Sequence, residues 1–393
     1  MLYRMTSYKK SQEESSRDIY KAFQAIDVNL DMILRRRHNS RLAETLLTIL
    51  NELMGVPQIV FHVGSQVEGS TTVEMKSDID CVFFQDNFQV MLKLGAWHNG
   101  KTNLLAFKDE TTPPQFYKLC RLQPAPGGRQ EYMRDKVDET DVVDEQGRVL
   151  VSNMIVDNTL KISFKGIVEG PVVKHGPSRS FSDDFDIVYA FPCNELPPEC
   201  EGLFTRSSPG HWPKSQTLKY ARHLPVFFIP HGHPHSPLNE RTLQWRLSTS
   251  LTERQLMFDF TEEQLLVYTL LKMLRCEYSK PKFGDNFSTF HIKTAMMFAI
   301  EKHPPDIWRI DNIVACASCC IDMLIQCARD NVCPHFTIGG VNLFDGKLSE
   351  PDIKKLEEFL TDLKQHINDY ICNLKMDSFG KQVTQKVHGE ESR

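Results

Sequence analysis

The segment Asp78-Ile79-Asp80-Cys81-Val82-Phe83-Phe84 opens on two carboxylates and runs straight into apolar residues. Side chains on a strand alternate between faces, so Asp78 and Asp80 point one way while Ile79 and Cys81 point into a core. The run Ile59-Val60-Phe61-His62-Val63 reads as a second buried strand, β-branched and aromatic, and it ends in Gly64-Ser65. A Ser/Thr/Gly-rich link joins the two. The order is thus a buried strand ending in Gly-Ser, a short link, and a second apolar strand that Asp-x-Asp opens.

Two carboxylates on one face attract a hard cation with oxygen ligands, which suits Mg²⁺, and such an ion usually completes its shell with water and substrate phosphates. The Gly64-Ser65 turn can offer a hydroxyl and backbone N–H groups to those phosphates. Paired metals clamp the attacking and leaving oxygens of an in-line phosphoryl displacement. A third carboxylate is then needed, and Phe185-Asp186-Ile187-Val188-Tyr189 supplies one on a strand-like run. Asp183 and Asp184 sit in the polar approach before the alternation starts, so Asp186 is the better candidate. Either an Asp-x-Asp or a Gly-Ser alone is common and is more often a surface feature; the ordered combination is much rarer.

The rest of the chain frames this motif. From Ser11 to Leu53 the pattern is helical: Ile19, Phe23, Ile26, Leu30 and Ile33 recur at threes and fours, and Leu42, Leu46, Leu50 and Leu53 continue it past a break expected at Asn39-Ser40. Gly55-Val56-Pro57 ends this region. Residues 97–148, with Pro-Pro, Pro-Gly-Gly and charged turns, predict an elaborated loop region. Val149 to Phe164 and Phe185 to Phe191 are strand-like. The Pro- and His-rich stretch from Arg206 to Glu240 predicts a lobe junction. Beyond it, Leu251–Phe258, Glu262–Arg275, Phe290–Glu301, Ile310–Asp330 and Ile353–Met376 read as helices. The expected fold is therefore α+β and bilobal. Spine helices occupy 1–55, a mixed-sheet lobe 56–235 and a helical lobe 236–376, followed by a loose polar tail at 377–393.

A chain of 393 residues, 41% hydrophobic and 25% charged, is ample for two lobes. No stretch reaches the unbroken apolar length of a membrane span, and the N-terminus has no apolar secretory region, so a cytosolic protein with no membrane partner is expected. Eleven irregularly spaced cysteines argue against a disulfide framework. Cys316, Cys319, Cys320, Cys327 and Cys333 fall largely in a helical apolar pattern and read as core rather than zinc ligands. His231, His233 and His235 lie in a Pro-rich stretch and read as an exposed loop. With a net charge of −5, nucleic-acid binding would need a local patch. Arg35, Arg36, Arg37 and Arg41 are the candidates; the alternative is a solvated helix end, where cations are favoured.

The chain resembles the cyclic GMP–AMP synthase-like receptors of the male-abnormal nucleotidyltransferase superfamily. The resemblance covers most of its length and rests on Gly64-Ser65, Asp78-x-Asp80, Asp186-Ile-Val with Pro192-Cys193, Trp245-Arg246-Leu247-Ser248-x-Ser250, Leu271-Lys272 and Ser288-Thr289-Phe290-His291-x-Lys293-Thr294. It implies an enzyme, switched on by double-stranded nucleic acid, that condenses two nucleoside triphosphates such as ATP and GTP into a cyclic dinucleotide for innate immune signalling. It further implies that Asp78, Asp80 and Asp186 hold Mg²⁺ or Mn²⁺. Gly64 and Ser65 would meet the triphosphate. Arg246, Ser248 and Ser250 would meet the acceptor base, and Glu253, Lys272, Thr289, Phe290 and Lys293 would line the donor nucleotide. Asp78 stands where the vertebrate DNA sensor has Glu, and Phe290 where it has a stacking Tyr. The chain passes from Glu253 to Phe260 without a His/Cys-rich insertion, so no structural zinc is expected and double-stranded RNA becomes the expected activator. Two rivals remain: a catalytically silent nucleic-acid or nucleotide sensor or developmental factor of the same superfamily, and a transferase that extends RNA ends.

Overall fold

Two helices lead the chain, α1 (Leu2–Ala25) and α2 (Leu30–Leu53). The break between them does not fall at Asn39-Ser40, which lie inside α2. It falls just after α1, where Asp27 adopts φ +57° and Asn29 caps α2 by accepting the Met32 N–H at 3.0 Å. An Asn side chain is worth most where backbone donors are orphaned, at a helix start. The computed structural model describes residues 2–56, 58–95, 97–126, 129–157, 173–182, 185–206 and 209–385, with backbone alone for 2–11, 175, 181, 182 and 385.

The strands are β1 (Gln58–Val63), β2 (Ile79–Gln85), β3 (Phe88–Met91), β4 (Thr102–Phe107), β5 (Phe116–Ala125), β6 (Arg129–Tyr132), β7 (Val142–Val143), β8 (Val149–Leu150), β9 (Val173–His175), β10 (Ser178–Ser182), β11 (Phe185–Cys193), β12 (Val226–Ile229) and β13 (Gln244–Ser248). They form a mixed sheet in the order β1-β2-β11-β12-β13-β5-β4-β3. β1 and β2 are antiparallel, β2 and β11 parallel.

Two expectations are corrected here. Residues 97–148 are not mainly loop: they contain β4 and the long β5, whose first half is buried. Lys118 and Arg121 hid β5 in the sequence. Both are buried, and both are paired: Lys118 Nζ lies 2.6 Å from Glu240 and 2.9 Å from Asp109, and Arg121 Nε lies 2.8 Å from Asp141. Buried charges survive when paired, so a charged residue does not exclude a core strand. The sheet also does not stop at residue 235, because β13 is inserted between β12 and β5. Its Trp245 is fully buried and donates its indole N–H to Val151 O at 2.9 Å. Of the expected Val149–Phe164 strand, β8 is formed, and residues from 158 on lie outside the described residues.

Besides four short α-helices among the described residues, those that follow are α3 (Gly64–Glu68, between β1 and β2), α4 (Ser250–Phe258), α5 (Glu262–Leu274), α6 (Thr289–Lys302), α7 (Ile313–Arg329), α8 (Glu350–Gln365), α9 (Ile367–Cys372) and α10 (Phe379–Gln385). Thr261 and Gln264 form a reciprocal capping box on α5, and Ser349 caps α8. The expected helix Ile353–Met376 is broken at His366, between α8 and α9. α7 is apolar because it lies in the helical core, with Ile313, Ala317, Ile321 and Leu324 buried. The tail expected from 377 is packed as far as α10. Phe379 is fully buried, its ring 4.7 Å from that of Phe23 on α1. One apolar cluster joins Ile19 and Phe23 of α1, Leu119 and Trp245 of the sheet, and Leu266 and Met296 of the helices.

Candidate active site

Pairing of three strands assembles the carboxylates. Val63 stands opposite Asp80 across β1 and β2, and Asp186 stands beside Asp80 across β2 and β11. Ligand oxygens of Asp78, Asp80 and Asp186 all lie within 4.8 Å of one another, and each residue is half-buried. Asp186 is oriented by the Ser178 hydroxyl at 3.1 Å and by the Ser180 hydroxyl, both from β10. Burial, and then the charges of Asp78 and Asp186, push the Asp80 carboxyl up to about 7. Three oxygen donors that repel one another at this range suit a hard divalent cation, whose charge would relieve the repulsion. Among the described residues no other cluster of metal-ligand side chains is formed.

Gly64 could hardly be another residue. It holds φ +77°, and a Cβ built on it would sit 2.0 Å from Asp80 Oδ2. The turn it begins, α3, is gripped from the helical half by two buried ammonium groups. Lys272 of α5 donates to Ser65 Oγ at 2.7 Å and to Ser70 O, and burial lowers its pKa to about 8. Lys293 of α6 is 2.6 Å from Glu68 Oε1. Burial works to lower Lys293, but the Glu68 carboxylate overrides it and holds the ammonium above its ordinary range.

A cleft of about 650 Å³ opens beside the triad, lined by Gly64, Asp80, Arg246, Ser248, Ser250, Glu253, Phe290 and Lys293 among others. Residues from distant parts of the chain, anticipated as nucleotide-binding, thus converge on one cavity. Ser65, Lys272 and Thr289 do not line it: Ser65 and Lys272 meet each other at α3, and Thr289 opens α6. Glu253 accepts from Thr249 Oγ1 at 3.0 Å, and burial raises its carboxyl. Burial also lowers the Arg246 guanidinium to about 10, with Glu253 opposing. Arg246 has no side-chain hydrogen bond or ion pair among the described residues, so its donors remain available to an acceptor in the cleft.

The far wall was not anticipated. His231, His233, His335, Asn342, Asp345 and Lys347 line it. The Pro-rich stretch is not wholly exposed: His231 and His233 are half-buried and face the cleft, while His235 is exposed. At Gly232 a Cβ would meet Arg241 O at 2.2 Å, so this loop is packed against backbone. His335 Nδ1 accepts the Thr337 N–H at 3.2 Å, which leaves its proton on Nε2, 3.9 Å from Glu253 Oε1. Burial and the neighbouring Arg246 lower this imidazole to about 3, so it is neutral. Its ring lies 5.2 Å from that of Phe290. Burial and Arg246 also lower Lys347, which has no carboxylate partner among the described residues. No sequence pattern marks His335 or Lys347, because both sit in the irregular stretch between α7 and α8.

The four arginines do not form one patch. Arg37 donates to Glu68 O, Met257 O and Phe258 O at 3.1–3.2 Å and lies over the Phe258 ring. Arg36 donates to Gln66 Oε1 at 3.0 Å. These two fasten α2 to α3, the turn that carries Gly64 and Ser65. Arg35 pairs with Asp31 on its own helix, and Arg41 is exposed. Nearby, Arg254 of α4 bridges Glu44 of α2 and His62 O of β1, and the His62 N–H donates to the same Glu44 oxygen at 2.6 Å. Cys316, Cys320, Cys327 and Cys333 are buried, three of them within α7.

Comparison with known proteins converges on one group. The Mab-21 protein HhH/H2TH-like domain matches residues 265–364, which run from within α5 to the end of α8 but for its last residue. Cyclic GMP-AMP synthase of Sus scrofa is 26% identical over 168 residues, covering 38% of this chain and 33% of that protein. Protein mab-21-like of Drosophila melanogaster is 26% identical over 164 residues, and that of Anopheles gambiae 26% over 161; each match covers 35% of this chain and 42% of the relative. The chain therefore matches between about a third and two fifths of these relatives' lengths.

Proposed function

We propose that this chain, a member of the cyclic GMP–AMP synthase/Mab-21 superfamily, is a metal-dependent nucleotidyltransferase that condenses two nucleoside triphosphates into a cyclic dinucleotide when double-stranded RNA is bound. The observation that carries this reading is the gathering of Asp78, Asp80 and Asp186 within 4.8 Å, at a cleft whose Arg246 is unpaired among the described residues. The reaction is two successive transfers. In each, a ribose hydroxyl of one nucleotide forms a bond to the α-phosphorus of the other, the bond to that pyrophosphate breaks and the hydroxyl proton is released, so the second transfer closes the ring and two pyrophosphates leave in all. Mg²⁺ or Mn²⁺ held by the three carboxylates would supply positive charge to the reacting oxygens.

The chain's own residues have separable tasks. Gly64 lets the backbone approach Asp80, and Lys272 holds the Ser65 hydroxyl in place on the same turn. Phe290 offers a face on which a base stacks. Arg246, Ser248 and Ser250 offer donors to a base edge or phosphate, with Glu253 as the acceptor among them. Lys293 fixes the first turns of α6 against α3 through Glu68, and Thr289 opens that helix. Arg35 and Arg41 are the arginines directed to solvent, where they would meet RNA phosphates; Arg36 and Arg37 would carry that engagement to α3.

The test is incubation with labelled ATP and GTP, Mg²⁺ or Mn²⁺, and double-stranded RNA or DNA. The expected product is a phosphatase-resistant cyclic dinucleotide formed with RNA and lost in Asp78→Asn and Asp80→Asn. No product under any condition overturns the reading and leaves a silent sensor. A ladder of longer products identifies an RNA-extending transferase instead.

A further inference from the structure

The second half of α2 carries an apolar seam that the described residues leave uncovered. Leu42, Leu46, Ile49 and Leu53 follow at intervals of four, three and four, the spacing that keeps one helix face turned toward another helix. They are between 47 and 81% exposed, and exposed Leu50 and Met54 flank them. The opposite face of α2 is already committed: Ile33 and Glu44 are buried, and Thr48 Oγ1 accepts the Val60 N–H of β1. Single exposed leucines need no explanation, but a contiguous stripe on a helix otherwise folded onto its own domain does.

We infer that this seam pairs with the same seam of a second copy, the two helices crossing antiparallel about a two-fold axis between Leu46 and Ile49. In that register Leu42 faces the partner's Leu53 and Leu46 faces the partner's Ile49, so apolar layers match along the whole stripe. The charges agree. Arg41 begins the stripe and Glu52 lies near its end, both exposed. Antiparallel pairing brings each Arg41 within a turn of the other copy's Glu52, whereas parallel pairing sets Arg41 against Arg41. Such a patch is self-complementary, as a two-fold interface must be. It amounts to roughly 500 Å² per copy, so two copies reach about the 1,000 Å² of a specific interface. A lipid surface fits less well, because the rim holds one acid and one base rather than a run of cations.

Sedimentation equilibrium of the whole chain from about 1 to 100 μM tests this, a range that brackets micromolar association. The expected result is a dimer that becomes a monomer in Leu46→Glu and in Ile49→Glu. Thermal melting at concentrations where the parent is monomeric is expected to stay unchanged in both, because these positions are solvent-facing in the single copy. Arg41→Glu or Glu52→Arg alone is expected to weaken the dimer by about threefold or more, and the two together to restore it. A monomer at every concentration overturns the inference, as does a dimer indifferent to Leu46→Glu. Seam-dependent binding of monomeric protein to phosphatidylcholine–phosphatidylserine vesicles would overturn it in favour of a lipid surface.

Discussion

Gly64 and Asp80 approach so closely that a methyl group does not fit between them: a Cβ on Gly64 would lie 2.0 Å from Asp80 Oδ2. The left-handed φ of +77° adds a cost of about 1–2 kcal/mol for any residue with a side chain. Gly64→Ala is therefore expected to push Asp80 out of line with Asp78 and Asp186. Nucleotidyl transfer should fall by about 100-fold, because misplacement on the scale of an ångström has that effect on a reacting geometry. Steady-state kinetics beside a melting curve checks this; full activity in a folded Gly64→Ala protein would contradict the geometry.

Lys293 and Glu68 are a buried pair, their side chains 11% and 2% exposed. Glu68 Oε2 has no hydrogen-bond partner of its own among the described residues, so removing Lys293 would leave a carboxylate without compensation. Lys293→Met is expected to cost about 3–5 kcal/mol of stability, and Lys293→Met with Glu68→Leu to recover much of it. Urea unfolding of both variants measures the difference. Equal stability of the single variant and the parent would show that the pair does not join α6 to α3.

His291 gives the fold a pH dependence. It is fully buried in α6, with Nδ1 accepting the Ser288 N–H at 3.0 Å and Nε2 donating to Leu343 O at 3.1 Å. Burial, then Lys347, lowers it to about 4. The folded value lies below the unfolded one of about 6.5, so the unfolded chain takes up the proton first. The contribution is complete above pH 6.5 and is lost as pH falls toward 4, by up to about 3 kcal/mol. Melting temperatures between pH 7.5 and 4.5 should therefore drop less steeply in His291→Gln than in the parent. Identical slopes would assign the dependence to other groups, such as His335.

Phe379 anchors the last described helix to the first. Its ring is buried 4.7 Å from Phe23. Phe379→Ala should cost about 3–5 kcal/mol, as truncation of a buried aromatic does. Chemical denaturation reads this directly, and a change below 1 kcal/mol would show that α10 adds nothing to the α1 packing.

How far the sequence could be read follows from the range of the forces involved. Asp78 and Asp80 were legible because strand alternation is local, and Asp186 because an apolar alternation surrounds it. The strand β5 was not, since Lys118 and Arg121 looked like surface residues until Glu240, Asp109 and Asp141 came to meet them. The break in the leading helices was misplaced for a similar reason. Asn29 and Asn39 look alike in sequence, but only Asn29 meets an unsatisfied backbone donor. The far wall of the cleft, with His335 and Lys347, depends on how an irregular stretch folds back over Phe290 and Arg246, and no periodicity carries that. In sequence Arg37 is either a phosphate contact or a solvated helix end; three backbone carbonyls take up its donors, and only the tertiary fold brings them there.

The central claim is that Asp78, Asp80 and Asp186 act as one metal-holding unit for nucleotidyl transfer. Pyrophosphate release from nucleoside triphosphates, with Mg²⁺ or Mn²⁺ and double-stranded RNA, measures it most directly. Release by the parent is expected to be abolished by chelation and to fall by a factor of about 1,000 or more in Asp80→Asn and in Asp186→Asn alike. Release that persists in a folded Asp80→Asn protein, or that needs no divalent metal, would contradict it.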